Sequence, residues 1–179
     1  MAGNKRRKKN IPRTMVKMIL ADGFFPGTDA ENLYHIAMSL PFVQKEFGKE
    51  IDQFNLTYPY LNEVFSNVLG EKVEFIEEQS GIFRRPTLTG VHFEGFDDPE
   101  EWCFIVSLDD TETHFNTYRH ASGNTSALNG YNYNFSNFFE WDYDINISLK
   151  RNQAVFFRPW LFHSVQDGLI QYYRLRKVK

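Results

Sequence analysis

The sequence predicts an α+β fold, mainly β: a sandwich or barrel of about eight strands, braced from outside by two N-terminal helices. Three observations lead there. Of the 179 residues, 42% are hydrophobic and 17% aromatic, with 18 Phe and 9 Tyr, and bulky aromatic side chains favour strands packed in a sheet-rich core. Helical periodicity is confined to the chain before Gly70. Beyond it, short segments rich in aromatic and β-branched residues follow one another closely.

In chain order, residues 1–13 carry Lys5, Arg6, Arg7, Lys8, Lys9 and Arg13 and no acid. The net charge of −3 therefore hides a basic arm on an acidic body, which keeps 14 basic against 23 acidic residues. Such an arm can touch nucleic acid or an anionic surface; the blander reading is a disordered, solubilising tail, and a nucleic-acid partner is not expected. Residues 14–179 are expected to form one domain. "TDAENLYHIAMSLP" places Thr28 and Glu31 at capping-box spacing ahead of Leu33, Ile36, Ala37 and Leu40, which predicts a helix ending near Pro41. "TYPYLNEVFSNVLG" predicts a second, with Thr57 as cap, Pro59 in the first turn, a stripe of Leu61, Val64, Phe65, Val68 and Leu69, and Gly70 as terminator.

The predicted strands are "KVEFIEE", "TLTGVHF", "EWCFIVSL", "THFNTY", "INISL", "QAVFF", "LFHSV" and "LIQYYRLR". Residues 121–144, "ASGNTSALNGYNYNFSNFFEWDYD", form a long connection of Asn, Gly and aromatics. A connection of that length in a compact domain is usually functional or mobile, and its aromatics either line a substrate cleft or pack as a surface flap; it is the candidate lid. Cys103 is the lone cysteine, so no internal disulfide forms and a reducing, intracellular setting is the simpler assumption. No apolar run reaches the roughly 18 residues of a membrane span and no signal-peptide stretch opens the chain. The expectation is a soluble, cytoplasmic protein without a membrane partner.

Chemistry gathers around "VHFEGFDD". Residues i and i+2 of a strand share a face, so His92 and Glu94 can hold one metal ion together. His163 in "PWLFHSV" is the best third ligand. Two imidazoles and a carboxylate suit non-haem Fe(II), with open positions left for substrate and oxygen. Arg174 and Arg176 follow in the last predicted strand, on one side of it; a buried guanidinium there would need an anion such as a carboxylate. His35, His114 and His120 are expected at the surface. Asp97, Asp98, Glu100 and Glu101 read as an acidic loop turning at Pro99, without the oxygen spacing of a calcium site.

This order of His-x-acid, hydrophobic strand, distal His and late Arg resembles the 2-oxoglutarate/Fe(II)-dependent dioxygenase superfamily, above all its short prolyl-hydroxylase-like members, phage-type proteins among them. The resemblance covers roughly residues 20–179, through "ADGFFPGTDAENLYHIAMSLPF", "VHFEGFDDPEEWCFIVSLDDTETHF" and "KRNQAVFFRPWLFHSV". It implies a double-stranded β-helix (jelly-roll or cupin-like) whose N-terminal helices brace one sheet. It also implies Fe(II) on His92, Glu94 and His163, and 2-oxoglutarate as cosubstrate with its distal carboxylate on Arg174, or alternatively on Arg176. The implied reaction uses O2, releases succinate and CO2, and hydroxylates a C–H bond of a peptidyl or small-molecule substrate. Glu94 stands where the family commonly has Asp, and Glu112-Thr113 where it commonly has Gly-Thr. Two other readings are a non-enzymatic jelly-roll binding or virion-associated module, and a cupin-like metalloenzyme that does not use 2-oxoglutarate; the second leaves the arginines unexplained. The primary substrate and the oligomeric state are not legible.

Overall fold

The computed structural model describes residues 15–45, 48–51, 60–84 and 90–178. The basic arm, Thr57, Pro59 and the start of the "TLTGVHF" segment lie outside the described residues. Along the chain run β1 (Met18–Ala21), α1 (Asp29–Ser39), β2 (Phe42–Lys45), β3 (Gly48–Ile51), α2 (Leu61–Leu69), β4 (Val73–Arg84), β5 (Trp102–Ser107), β6 (Thr113–His120), β7 (Trp141–Leu149), β8 (Ala154–Phe157), β9 (His163–Gln166) and β10 (Leu169–Lys177). Two antiparallel sheets, ordered β1-β8-β5-β10-β4-β3-β2 and β7-β6-β9, face one another as a double-stranded β-helix.

The central strands of the larger sheet, β5, β8 and most of β10, are buried on both faces, which is why Trp102–Val106 of β5 reads as an unbroken apolar run rather than an alternating one. Trp102, Phe104 and Val106 of β5, Phe156 of β8 and Tyr173 and Leu175 of β10 turn toward the helices. Cys103, Ile105, Phe157, Ile170 and Tyr172 turn the other way, against Phe115, Leu149 and Val165 of the smaller sheet. One sheet thus serves two cores, and every second residue of β10 looks into the space between the sheets.

The helices cover the larger sheet as expected, with local differences. In α1, Ala30, Leu33 and Ala37 are buried, whereas Ile36 is 36% exposed, so the apolar stripe is narrower than its spacing predicts. The capping box does not form: Thr28 makes no side-chain cap bond, and its hydroxyl instead accepts from Asn32 Nδ2 at 3.4 Å. In α2, Leu61 and Phe65 are the buried pair, and Gly70 ends the helix at φ +66°, a left-handed conformation that favours glycine. The Tyr60 hydroxyl donates to the Asp29 carboxylate and ties the starts of the two helices together.

Each predicted strand that lies within the described residues is present, the described part of "TLTGVHF" from Gly90 on forms no strand, and β2 and β3 add to the larger sheet a hairpin that the sequence does not announce. Residues 90–96 form no strand, and their one antiparallel β-bridge joins His92 to His163. Residues 121–140 contain two short 3-10 turns, and Tyr133 and Trp141 pack with Val91, Tyr118 and Phe162 in a separate aromatic cluster. Among the described residues no helix is long and apolar enough to cross a membrane.

Phe65 joins α2 to the sheet: its ring lies 5.5 Å from Phe24, 5.0 Å from Phe104 and 5.3 Å from Tyr173. Truncation of a fully buried Phe removes its transfer energy and leaves a cavity, so Phe65→Ala is expected to cost about 3–5 kcal/mol. Urea denaturation would show this as a lowered midpoint at unchanged slope.

Candidate metal centre

The site is assembled by main-chain hydrogen bonds. His163 opens β9 directly after a turn in which Leu161 N–H donates to Arg158 O at 3.0 Å, and Trp160 Nε1–H anchors that turn on Pro99 O at 2.9 Å. His92 and His163 exchange both backbone bonds, at 2.9 and 2.8 Å, which sets their ring centroids 4.3 Å apart. Glu94 N–H then donates to Pro159 O at 2.8 Å, so the extended period of two returns the Glu94 carboxylate to the side occupied by the imidazoles.

Each ring is oriented by a carbonyl. His163 Nδ1 lies 2.9 Å from Leu161 O, and His92 Nδ1 lies 3.0 Å from Gly90 O. A carbonyl only accepts, so both Nδ1 atoms carry the proton and both Nε2 atoms present a lone pair. Each Nε2 stands 3.7 Å from Glu94 Oε1, and ligand atoms from the three residues lie within 4.8 Å of one another. His163 is fully buried and its Nε2 has no hydrogen-bond partner. An orphaned buried acceptor facing a carboxylate is the arrangement a divalent cation resolves, so these residues fit a non-haem iron or similar ion.

The local charge balance agrees with that use. Burial, with His92 as a second cause, pushes the His163 imidazole down, keeping it neutral. For Glu94, burial works upward, but interactions with His163 and His92 outweigh it and hold the carboxyl well below the usual carboxylate range. A neutral His163 beside an ionised Glu94 is the protonation pattern a metal requires. His163 also stacks on Phe115, its centroid 5.6 Å away, and Phe157 lies at 4.6 Å, so its rotamer is locked by packing.

A cavity of about 510 Å³ runs from Glu94 to Arg174, bordered also by Gly95, Glu101 and Tyr172. Arg174, directly across the strand pair from Cys103, is buried. Its Nε and one terminal nitrogen donate to Glu101 Oε2 at 3.2 and 2.5 Å; that nitrogen also donates to Gly95 O at 2.5 Å, and the other to Cys103 Sγ at 3.3 Å. Burial opposes the guanidinium charge, but the Glu101 carboxylate paired with it favours that charge, and the pKa of Arg174 is raised. Burial pushes the Cys103 thiol up to about 12, so it stays protonated, with the structural role that its burial suggests.

The remaining expectations divide. Arg176 shares the strand side of Arg174 but lies beyond the last paired residue of β5; it is exposed and bound to Glu74 at 2.6 Å, away from the cavity. His120 is not at the surface: it is buried beside Tyr133 and Trp141, with Nε2 3.1 Å from Glu140 and Nδ1 2.8 Å from Ser122. His114 bonds Ser148 on the face opposite Phe115, and His35 is exposed beside Glu31. None of residues 121–144 borders the cavity that joins Glu94 to Arg174; that connection encloses, with Gly90 and Val91, a second cavity of about 300 Å³. Glu101 and Tyr172 were not singled out from the sequence as site residues, because nothing in their spacing distinguishes a cavity wall from a loop end or a core position.

No protein-family model and no curated protein sequence matches this chain. Solved structures do. The non-heme alpha ketoglutarate dependent epimerase SnoN from nogalamycin biosynthesis superposes with a TM-score of 0.61 at 12% identity, over 90% of this chain and 78% of its own. SnoN in complex with Fe3+, alpha ketoglutarate and nogalamycin RO gives 0.58 at 10% identity, over 90% and 79%. HygX from Streptomyces hygroscopicus with nickel and 2-oxoglutarate bound gives 0.53 at 11% identity, over 90% and 83%. At these identities the likeness is one of fold.

If the three side chains take a divalent ion, the ion stabilises the folded state by mass action, by about 2.7 kcal/mol at a hundredfold excess over its dissociation constant. Ni(II) should therefore raise the melting temperature of the wild-type protein measurably, and His163→Ala should abolish the increase. An equal increase in both proteins would place the ion elsewhere.

Proposed function

We propose that this protein is an Fe(II)- and 2-oxoglutarate-dependent oxygenase that hydroxylates a C–H bond of a small-molecule or peptidyl substrate. The observation that carries the reading is the convergence of His92, Glu94 and His163, with Glu94 opening onto a cavity that the buried Arg174 also lines. A scaffold has no physical reason to bury an unpartnered imidazole nitrogen against a carboxylate that shares a cavity with a buried guanidinium. The shared fold with SnoN and HygX supports the same class of chemistry.

His92, Glu94 and His163 would hold the iron, which when bound supplies the activation of O2 coupled to decarboxylation of the 2-oxo acid. The chain's own residues do the rest. The Leu161 and Gly90 carbonyls keep each imidazole in the ligating tautomer. Arg174 would receive the distal carboxylate of 2-oxoglutarate, since a planar guanidinium matches a carboxylate with two parallel N–H bonds. The Tyr172 hydroxyl, whose pKa burial raises well above its ordinary value, stays protonated and donates to Cys103 Sγ at 3.3 Å, adding no charge to that wall. Phe115, Phe157 and Trp160 surround His163 and the turn that carries it with apolar volume that excludes water.

Anaerobic addition of Fe(II) and 2-oxoglutarate tests the reading through the weak visible charge-transfer absorption of the iron chelate. It is expected in the wild type, absent in His163→Ala, and shifted in Arg174→Ala to concentrations of 2-oxoglutarate roughly tenfold to a hundredfold higher, the loss of one charge-assisted contact. An iron-loaded wild-type protein without the band would remove 2-oxoglutarate from the reaction and leave a binding module as the better reading.

A further inference from the structure

The Arg174 guanidinium offers five N–H donors. Two of them are taken by Glu101 Oε2, one by Gly95 O and one by Cys103 Sγ, which leaves one. A carboxylate bound with two parallel bonds cannot be received through one donor. The Glu101 side chain is 14% exposed and that of Arg174 is 4% exposed, so this is a desolvated pair rather than a solvent-screened one. Cys103 cannot serve as the counter-ion, because its thiol stays protonated.

We propose that Glu101 is a resident carboxylate that occupies the cosubstrate anchor and must be displaced from Arg174 by the distal carboxylate of 2-oxoglutarate, so that Glu101 sets cosubstrate affinity and specificity. The inference rests on the oxygenase reading given above. Three features make the exchange feasible. Glu101 and Arg174 both border the 510 Å³ cavity, so the incoming group and the departing side chain share one open space. The Glu101 backbone is pinned, its N–H donating to Asp98 O at 3.1 Å and its carbonyl accepting from Arg158 at 3.2 Å, so a change of side-chain rotamer suffices and the loop stays in place. Among the described residues that line the cavity, Glu94, Asp97 and Glu101 are acidic and Arg174 is the one cation. Departure of Glu101 into solvent therefore relieves like-charge repulsion when a dicarboxylate arrives.

The same exchange predicts selectivity. A 2-oxo acid without a distal carboxylate, such as pyruvate, has no claim on Arg174 and leaves the Glu101 pair intact. Only the longer dicarboxylate must compete, and it recovers a charge-assisted contact in return.

Calorimetric titration of the full chain, loaded with Ni(II), tests this with 2-oxoglutarate and pyruvate as probes on wild type, Glu101→Gln and Glu101→Ala. The Gln variant keeps an acceptor for Arg174 while removing the charge, and the melting temperature of each protein reports whether it remains folded. Both variants are expected to bind 2-oxoglutarate about tenfold or more tightly than wild type, with pyruvate affinity unchanged. They should also gain more thermal stabilisation from 2-oxoglutarate than the wild type does, since their Arg174 starts without a carboxylate. Folded variants that bind pyruvate normally but 2-oxoglutarate equally or more weakly would overturn the proposal and make Glu101 a partner that merely orients Arg174. Failure of 2-oxoglutarate to bind any of the three Ni(II)-loaded proteins would instead overturn the oxygenase reading itself.

Discussion

The geometry of the site depends on one pair of backbone hydrogen bonds, those exchanged by His92 and His163. A residue pair bonded in this way has its side chains on the same face, so the two imidazoles meet by construction. Glu94 joins them through the period of two, held by its own bond to Pro159. What keeps this short pairing in place is the turn beyond it. Arg158 lays its guanidinium over the Trp102 ring at 3.6 Å and donates to the carbonyls of Val16, Glu100 and Glu101. That one side chain clamps the N-terminal segment, the acidic turn and the histidine-bearing turn together.

The interior polar groups follow from this placement. Ionised groups removed from water must be compensated, and the two buried arginines each have neighbours of suitable kind. Arg174 has Glu101, and Arg158 has three carbonyls and an aromatic face. Glu94 is the exception, since it faces the unpartnered Nε2 of His163 at 3.7 Å, the arrangement a bound cation would resolve. Tyr172 and Cys103, which donate and accept between themselves at 3.3 Å, remain uncharged because burial makes ionisation costly. The cavity is therefore lined by groups whose charges are set before any ligand arrives, which is what preorganisation means in electrostatic terms.

Much of this was legible in the residues. Aromatic and β-branched runs marked the strands, most clearly β5, β8 and β10, because their side chains are what strands buried on both faces require. The spacing His92-x-Glu94 and the isolated His163 were readable because a strand's period is fixed. Other features were not readable, for physical reasons. The "TLTGVHF" segment has the composition of a strand, but residues 90–96 find only one bridging partner, and pairing is a property of the whole fold rather than of the segment. Arg174 and Arg176 look equivalent by parity; what separates them is where β5 ends, at Trp102 opposite Leu175. Glu101 carried the signature of a solvated loop acid, and only the closeness of β10 to the acidic turn makes it a counter-ion. His120 seemed a surface residue because the aromatics that bury it, Tyr133 and Trp141, come from the least regular part of the chain.

The double-faced character of β10 has a consequence for how such a protein can change. Tyr173 and Leu175 sit in the core beneath the helices, while Tyr172 and Arg174 face the cavity. Alternate positions of one strand thus answer to different selective demands, those of holding the fold and those of receiving a ligand. Substitution at a cavity-facing position leaves the helix-side packing untouched and the reverse holds as well, so the ligand chosen can drift over generations while the architecture stands still.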